Sequence, residues 1–186
     1  MNSKFLKMGL VALVAFPLFA HADDEPVPPT VVNGGSIKFT GEFITAACAV
    51  ENKSANQEIP LGQYSTTSLK KKGDVTANIP FSIELVDCDN SAYSNVSVAF
   101  TGLSKDSVLL DINGDGSNAT VATGMAVELL DSTSTPVPLN GQDYSTPQTL
   151  YEGNTALHFN ARYKAIDDTI TSGLANANAT FMVKYQ

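Results

Sequence analysis

The stretch that decides the fold closes the chain and reads Gly173-Leu-Ala-Asn-Ala-Asn-Ala-Thr-Phe-Met-Val-Lys-Tyr185-Gln186. Within it every second side chain is apolar, at Ala177, Ala179, Phe181, Val183 and Tyr185. The side chains between them are mostly polar, and alternation with a period of two is typical of a strand with one buried face. Because no further segment follows to pair with this strand, we predict a sheet edge that is open to a strand from another chain.

A second alternating segment lies near the other end of the chain. Its alternate positions are Val31, Asn33, Gly35, Ile37 and Phe39. Asn33-Gly34 is also a hairpin signal, so a local hairpin is the alternative to one extended strand. The proline-rich residues 26–29 pair poorly and favour the extended strand. We therefore predict that this segment completes the open edge in a neighbouring subunit.

Residues 1–22 have the three parts of an export signal. They are a positive start with Lys4 and Lys7, an apolar run over 8–19, and the small-x-small cleavage site Ala20-His21-Ala22. The apolar run is shorter than the roughly 20 residues of a membrane span. We predict a soluble, exported chain with one domain. The net charge of −8 disfavours nucleic acid and anionic lipid as partners.

The chain has two cysteines, Cys48 and Cys88. Export to an oxidising compartment makes a single disulfide the first interpretation. A metal or redox pair is the alternative, and it is disfavoured by the spacing and by the absence of a nearby histidine. We expect no cofactor and no metal site.

Two candidate chemical sites are weak. Asp111-Ile-Asn113-Gly-Asp115-Gly116 matches the opening of a calcium-binding loop, but its twelfth position is Ala122 instead of a bidentate glutamate. Of the two histidines only His158 follows the export signal, on the polar face of a predicted strand. It cannot by itself supply a metal cluster or a supported catalytic relay. We therefore predict a polar turn and no catalytic residues.

Short alternating strands run through the rest of the chain. They are predicted at 43–50, 57–61, 77–88, 96–100, 108–112, 125–130, 137–139, 149–151 and 156–165, and hardly one convincing helix separates them. Short strands divided by turn residues predict an all-β sandwich.

With these segments in place, the chain resembles the pilins of the chaperone–usher class, and most closely the major subunit family of type 1 fimbriae. The likeness rests on Asn33–Glu42, Ala46–Val50, Leu85–Asp89, Phe159–Tyr163 and Ala175–Gln186. The family's carboxyl-terminal signature, a penultimate aromatic residue with a glycine fourteen positions from the end, is matched by Tyr185 and Gly173.

The resemblance implies an incomplete immunoglobulin-like β-sandwich that is completed by donor-strand exchange. Its parts would be a signal peptide at 1–22, a donor extension at 23–40 and a pilin domain at 41–186. The groove edge that binds the chaperone would contain Gly173, Ala179, Phe181, Val183 and Tyr185, and the donor positions would be Val31 to Phe39 as above.

The same resemblance implies a structural subunit of a surface fimbrium, exported through the periplasm, that contributes to cell adhesion. Its partners would be other copies of itself, a periplasmic chaperone, an outer-membrane usher and minor pilus subunits. A minor adaptor or terminator subunit is an alternative, and so is a carbohydrate-binding module that uses loop tyrosines such as Tyr64 and Tyr151. A periplasmic enzyme is disfavoured by the lone His158.

Overall fold

The computed structural model describes residues 29–113 and 119–186. The predicted export signal at 1–22 lies outside the described residues, and so do positions 114–118 of the calcium-type motif. The chain divides into two units, Met1–Gly41 and Glu42–Gln186. Within the first unit, residues 29–41 are exposed and contain no helix or strand.

The second unit is built almost entirely from strands, which confirms the predicted all-β class. Its described strands are β1 (Ala49–Val50), β2 (Ile79–Cys88), β3 (Asn95–Gly102), β4 (Ser104–Asp106), β5 (Leu109–Leu110), β6 (Met125–Leu130), β7 (Gln148–Thr149), β8 (Gly153–Ala165) and β9 (Ala179–Tyr185). The described helices are one turn each, α1 (Asn52–Ala55) and a 3₁₀ turn at Thr66–Ser68.

The strands form two antiparallel sheets. The larger has the order β1-β2-β8-β6-β5-β4, and the smaller has the order β7-β3-β9. Strand β8 is the centre of the larger sheet, with Phe81 of β2 opposite Phe159 and Val127 of β6 opposite Tyr163. In the smaller sheet β3 lies between its two neighbours, which leaves β9 at one edge.

The core lies between the sheets, where the alternating apolar faces meet. Leu85, Leu157 and Val98 are buried there. The rings of Phe100 on β3 and Phe159 on β8 meet edge to face with centroids 5.2 Å apart. This geometry is favoured for aromatic pairs and joins the two sheets. Cys48 and Cys88 are buried and form a disulfide, as predicted.

The polar face of the larger sheet contains a charged cluster that the sequence pattern did not predict. Glu128 on β6 is fully buried, and it binds Arg162 and Lys164 of β8 at 2.6 Å each. A second bond of 2.8 Å joins the Arg162 Nε to the same carboxylate. The two cations neutralise the buried carboxylate, which would otherwise be an uncompensated buried charge. Both cations are partly exposed to solvent and so remain hydrated.

Five predicted strands are wrong in whole or in part. The strand at 108–112 is reduced to Leu109–Leu110, and the one at 149–151 overlaps β7 only at Thr149. The other three differ more. The strand at 43–50 is reduced to Ala49–Val50, and Phe43 is fully exposed without a strand partner. No strand forms at 57–61, where the Gln57 side chain instead donates to the Ser82 carbonyl. At 137–139 the apolar side chains are buried, but Val137 and Leu139 donate to two different segments, at Leu129 and Ser107. The prolines at 136 and 138 lack the N–H groups that a regular ladder needs.

Candidate functional site

The outer edge of β9 carries unpaired backbone groups. Asn95 and Gln186 exchange two hydrogen bonds of 2.9 Å, and the register continues from Val96–Tyr185 to Gly102–Ala179 without a shift. In an antiparallel ladder, residue pairs that face each other across the two strands alternate between pairs joined by backbone hydrogen bonds and pairs that are not. Since Asn95–Gln186 is a hydrogen-bonded pair, the pairs of Val96, Val98 and Phe100 with β9 are not hydrogen-bonded. The N–H and C=O groups of Phe181, Val183 and Tyr185 therefore point away from β3. No other described segment pairs with them.

The same three residues carry the apolar side chains of β9. In an antiparallel strand the residues whose backbone faces one edge also share one face of the sheet. Their partners on β3, Val96, Val98 and Phe100, are buried, whereas Phe181, Val183 and Tyr185 are only partly buried. A strip of apolar surface is therefore left partly uncovered along the unpaired edge.

Tyr185 fixes the carboxyl end of this edge. Its hydroxyl donates to the carbonyl oxygen of Cys48 at 3.2 Å, and its ring lies against Tyr93 with centroids 6.2 Å apart. Burial raises the pKa of the Tyr185 hydroxyl. The neutral hydroxyl links the end of β9 to the disulfide.

Gly173 lies before β9 and not within it. A side-chain carbon at this position would lie 2.5 Å from the carbonyl carbon of Val121 and 2.6 Å from the carbonyl oxygen of Thr120. Leu174 next to it donates to Thr120 and accepts from Ala122, both at 2.8 Å. The glycine is needed because two backbones approach closely here. This contact positions the segment that leads into β9.

A cavity of about 410 Å³ opens beside the segment that precedes β9. Its apolar lining includes Tyr64, Met125, Tyr163, Ile170 and Leu174. Tyr64 and Tyr163 pack edge to face at 5.9 Å. The Tyr163 hydroxyl donates to the Ala175 carbonyl at 2.8 Å, and burial raises its pKa. Tyr64, a candidate sugar-stacking residue from sequence, thus packs into the wall of this cavity.

The predicted donor positions lie in the other unit and present apolar side chains to solvent. Val31 is 94% exposed, Ile37 81% and Phe39 89%. Asn33 accepts a hydrogen bond from the Gly35 N–H at 3.1 Å through its side-chain oxygen. Gly35 has φ +108°, a conformation that other residues rarely adopt. Neither a regular strand nor a hairpin ladder forms in this segment.

His158 and the calcium-type motif, the two weak candidates for a chemical site, lie on different parts of the pilin domain. His158 is exposed on β8, where its backbone N–H donates to the Gln148 side chain at 3.0 Å. Of the calcium-type motif, positions 111–113 belong to the described residues, and the Asn113 N–H donates to the Asn176 carbonyl at 2.8 Å. Within ranges 29–113 and 119–186, no three acidic, histidine or cysteine side chains converge as a metal site. No helix of those ranges is long and apolar enough to cross a membrane.

A β-sandwich with an unpaired, partly uncovered edge strand and a separate apolar segment has the architecture of a pilus subunit. Known proteins agree. The family model for fimbrial protein matches residues 37–186. The fimbrial subunit type 1 of Salmonella typhimurium is 43% identical over 183 residues, which cover 97% of this chain and 98% of the relative. The type-1 fimbrial protein A chain of Escherichia coli is 39% identical over 184 residues, 98% of this chain and all of the relative.

Solved structures give the same result. A subunit of a chaperone–usher pilus matches with TM-score 0.69 and 33% identity, over 86% of this chain and 100% of that chain. The P pilus rod subunit PapA matches with TM-score 0.62 and 32% identity, over 76% of this chain and 100% of that chain. The chain belongs to the fimbrial protein family. It has the incomplete immunoglobulin-like fold of the chaperone–usher pilins and is a structural subunit of a fimbria.

Proposed function

We propose that the chain polymerises head to tail, with the extension at 23–40 of one subunit added to the β9 edge of the pilin domain, 41–186, of the next. The observation that carries this proposal is a match between two incomplete parts. One subunit has a row of unpaired backbone groups beside partly uncovered apolar side chains, and the extension has exposed apolar side chains with no strand partner. Strand addition to a sheet edge satisfies both.

The backbone contribution comes from Phe181, Val183 and Tyr185. A donated strand gives each N–H an acceptor and each C=O a donor at an edge that excludes water once it is covered. The side-chain contribution comes from the donor. Burial of Val31, Ile37 and Phe39 stabilises the complex by roughly 1.5–3 kcal/mol for each side chain.

Gly35 occupies the middle of the donor pattern, between Asn33 and Ile37. A glycine in a strand interior allows close approach of another backbone or side chain. We assign it to the shallowest part of the groove, where a larger side chain would hold the donor strand away from β9. The groove edge comprises Ala179, Phe181, Val183 and Tyr185, and Gly173 supports it from the preceding segment.

The proposed contact is heterologous, because the donor segment and the β9 edge are different surfaces of the same chain. Such contacts produce an open helical filament unless their rotation closes a ring. Before assembly the same edge needs a temporary partner, since an uncovered edge invites aggregation. We assign that role to a periplasmic chaperone that lends a strand, with transfer to the donor segment at an outer-membrane usher. Minor pilus subunits and surface display complete the pathway, and nucleic acid has no part in it.

The test is the migration of the exported chain in detergent gels with and without boiling, from cells that supply a chaperone and an usher. The full mature chain should give a ladder of multimers that collapses on boiling, and a chain without residues 23–40 should give none. Phe39→Asp should also abolish the ladder because it would bury a charge. Lys38→Asp is the matched control, since position 38 faces away from the groove in a period-two strand.

A monomer band in every lane would contradict strand donation. It would leave the carbohydrate-binding alternative, which a glycan array on the monomer would then test. An unaffected ladder from Phe39→Asp would exclude Phe39 from the donor positions.

A further inference from the structure

The chain contains three Asn-Gly pairs, and two of them lie wholly in the described residues. They are Asn33-Gly34 in the exposed extension and Asn140-Gly141 beside β3; the third, Asn113-Gly114, extends into residues outside the description. The same dipeptide therefore stands in two contrasting environments. In an Asn-Gly pair the backbone nitrogen of glycine can attack the side-chain amide carbon, because glycine imposes little steric hindrance and reaches conformations closed to other residues.

At Asn140-Gly141 the structure opposes this attack. The Asn140 side-chain oxygen accepts from the backbone N–H groups of Gln142 and Asp143 at 2.9 Å each, and its amide nitrogen donates to Asp143 at 2.8 Å. The Gly141 nitrogen, which would be the nucleophile, donates to the Phe100 carbonyl at 2.9 Å. Both reacting groups are therefore held apart, and the segment has to open before they can meet.

At Asn33-Gly34 one of these restraints remains, and among the described residues the structure shows no bond that holds the Gly34 nitrogen or the Asn33 amide nitrogen. Residues 33 and 34 are exposed, and a side-chain carbon on Gly34 would meet no heavy atom within 4 Å. The Asn33 side-chain oxygen accepts a local hydrogen bond from the Gly35 N–H at 3.1 Å. Such a turn folds the side chain back over the following peptide bonds.

We propose that Asn33-Gly34 is a site of spontaneous deamidation, and that the modified fraction of subunits increases with time until the subunit polymerises. The Gly34 nitrogen loses its proton to solvent and attacks Cγ of Asn33, and ammonia leaves as a cyclic imide forms. Water then opens the imide at either carbonyl. The products are aspartate, with an unchanged backbone, and isoaspartate, with one extra methylene in the backbone.

Both products damage the donor strand; this consequence rests on the proposed function, because it takes Asn33 as a groove-facing position. Aspartate brings a carboxylate into an apolar groove, where an unpaired charge is costly. Isoaspartate lengthens the backbone by one methylene at position 33. The inward and outward side chains before this position then no longer match those after it, so Val31 and Ile37 no longer share one face. Once the donor is paired with β9, its extended backbone keeps the Gly34 nitrogen away from Cγ. Polymerisation therefore stops further deamidation at Asn33.

The experiment compares the full chain as unpolymerised subunit and as polymer, both kept in mildly alkaline buffer. Peptide mass spectrometry follows the mass gain at each asparagine, with fragmentation that separates aspartate from isoaspartate. In the subunit, Asn33 should deamidate at least about tenfold faster than Asn140, because only Asn140 needs local opening. Gly34→Ala should slow the reaction at Asn33 by about tenfold, since the methyl group hinders attack. Equal rates at Asn33 and Asn140 would overturn the site.

The protective effect has its own readout. In the polymer the rate at Asn33 should fall at least about tenfold below its rate in the subunit, since the paired strand has to open first. An unchanged rate would overturn the protection. Asn33→Asp should polymerise several-fold less than Asn33→Gln, which keeps the neutral amide, and equal yields would overturn the consequence for assembly. Failure of strand donation itself would be seen separately, as an unchanged gel ladder for the chain without residues 23–40.

Discussion

The hydroxyl of Tyr185 and the carbonyl oxygen of Cys48 are joined by a hydrogen bond of 3.2 Å, which links the end of β9 to the disulfide that pins the start of β1. This bond connects the edge strand of the smaller sheet with the edge region of the larger one. The unpaired edge of β9 therefore has a fixed end, and a donated strand would meet an edge that is already held in place at Tyr185.

Tyr185→Phe should lower the stability of the pilin domain by about 0.5–1.5 kcal/mol, the usual contribution of one hydrogen bond. The ring and its apolar contacts remain, so polymers should still form. The midpoint of urea unfolding would measure the loss. Tyr93→Phe is a suitable control, because it removes a tyrosine hydroxyl from the neighbouring ring and leaves the Cys48 carbonyl paired. An equal loss in both variants would contradict a specific role for the Tyr185 bond.

Asp131 should make the pilin domain sensitive to acid. It is 2% exposed, and its carboxylate accepts five hydrogen bonds from Thr133, Thr135 and Thr146. Burial by itself would raise the pKa of Asp131, but these bonds outweigh burial and lower the pKa to about 2. Because the folded pKa lies below the ordinary value of 3.8, this stabilisation is complete above that pH and is lost as the pH falls toward 2.

The expected loss from this group is about 2 kcal/mol across that interval. Unfolding free energies measured between pH 5 and pH 2 would show it as a steep acid limb. Asp131→Asn cannot titrate and should flatten that part of the curve while lowering stability at neutral pH. If the variant kept the same acid limb, other carboxylates would be responsible for it.

Much of the fold could be predicted from period-two alternation, because in β2, β8 and β9 more buried and more exposed side chains alternate over seven or more residues. The pattern failed where burial and backbone pairing separate. Val137 and Leu139 are buried like strand residues, yet their N–H groups bond to different segments. The two halves of the candidate site were visible because each is itself an alternating stretch. The cavity around Tyr64 and Tyr163 was not, since it brings together residues nearly a hundred positions apart.

Gly173→Ala should destabilise the domain, because the added methyl group would collide with backbone atoms of residues 120–122 that have no free rotation to relieve it. Overpacking of this kind costs typically about 1–3 kcal/mol. Gly41→Ala is a matched control, since a side-chain carbon there meets nothing within 4 Å. Thermal unfolding of both variants would compare them. Wild-type stability in Gly173→Ala would show that the two backbones separate more easily than their hydrogen bonds indicate.

Gly35→Leu should block or slow assembly by acting on the donor strand. With Val31, Ile37 and Phe39 facing the groove, position 35 faces it too, and a leucine would hold the strand away from the β9 backbone. Gly34→Leu is the matched control, because it adds the same side chain one residue earlier, on the face that points away from the groove. Both glycines are exposed in the single chain, so neither change should alter folding of the pilin domain.

Filament yield and chaperone binding would be measured together. Gly35→Leu should lose filaments while it keeps the chaperone complex, and Gly34→Leu should keep both. Normal yield from Gly35→Leu, or equal losses from the two variants, would mean that the groove does not distinguish the faces of this segment, and the donor positions would have to be reassigned.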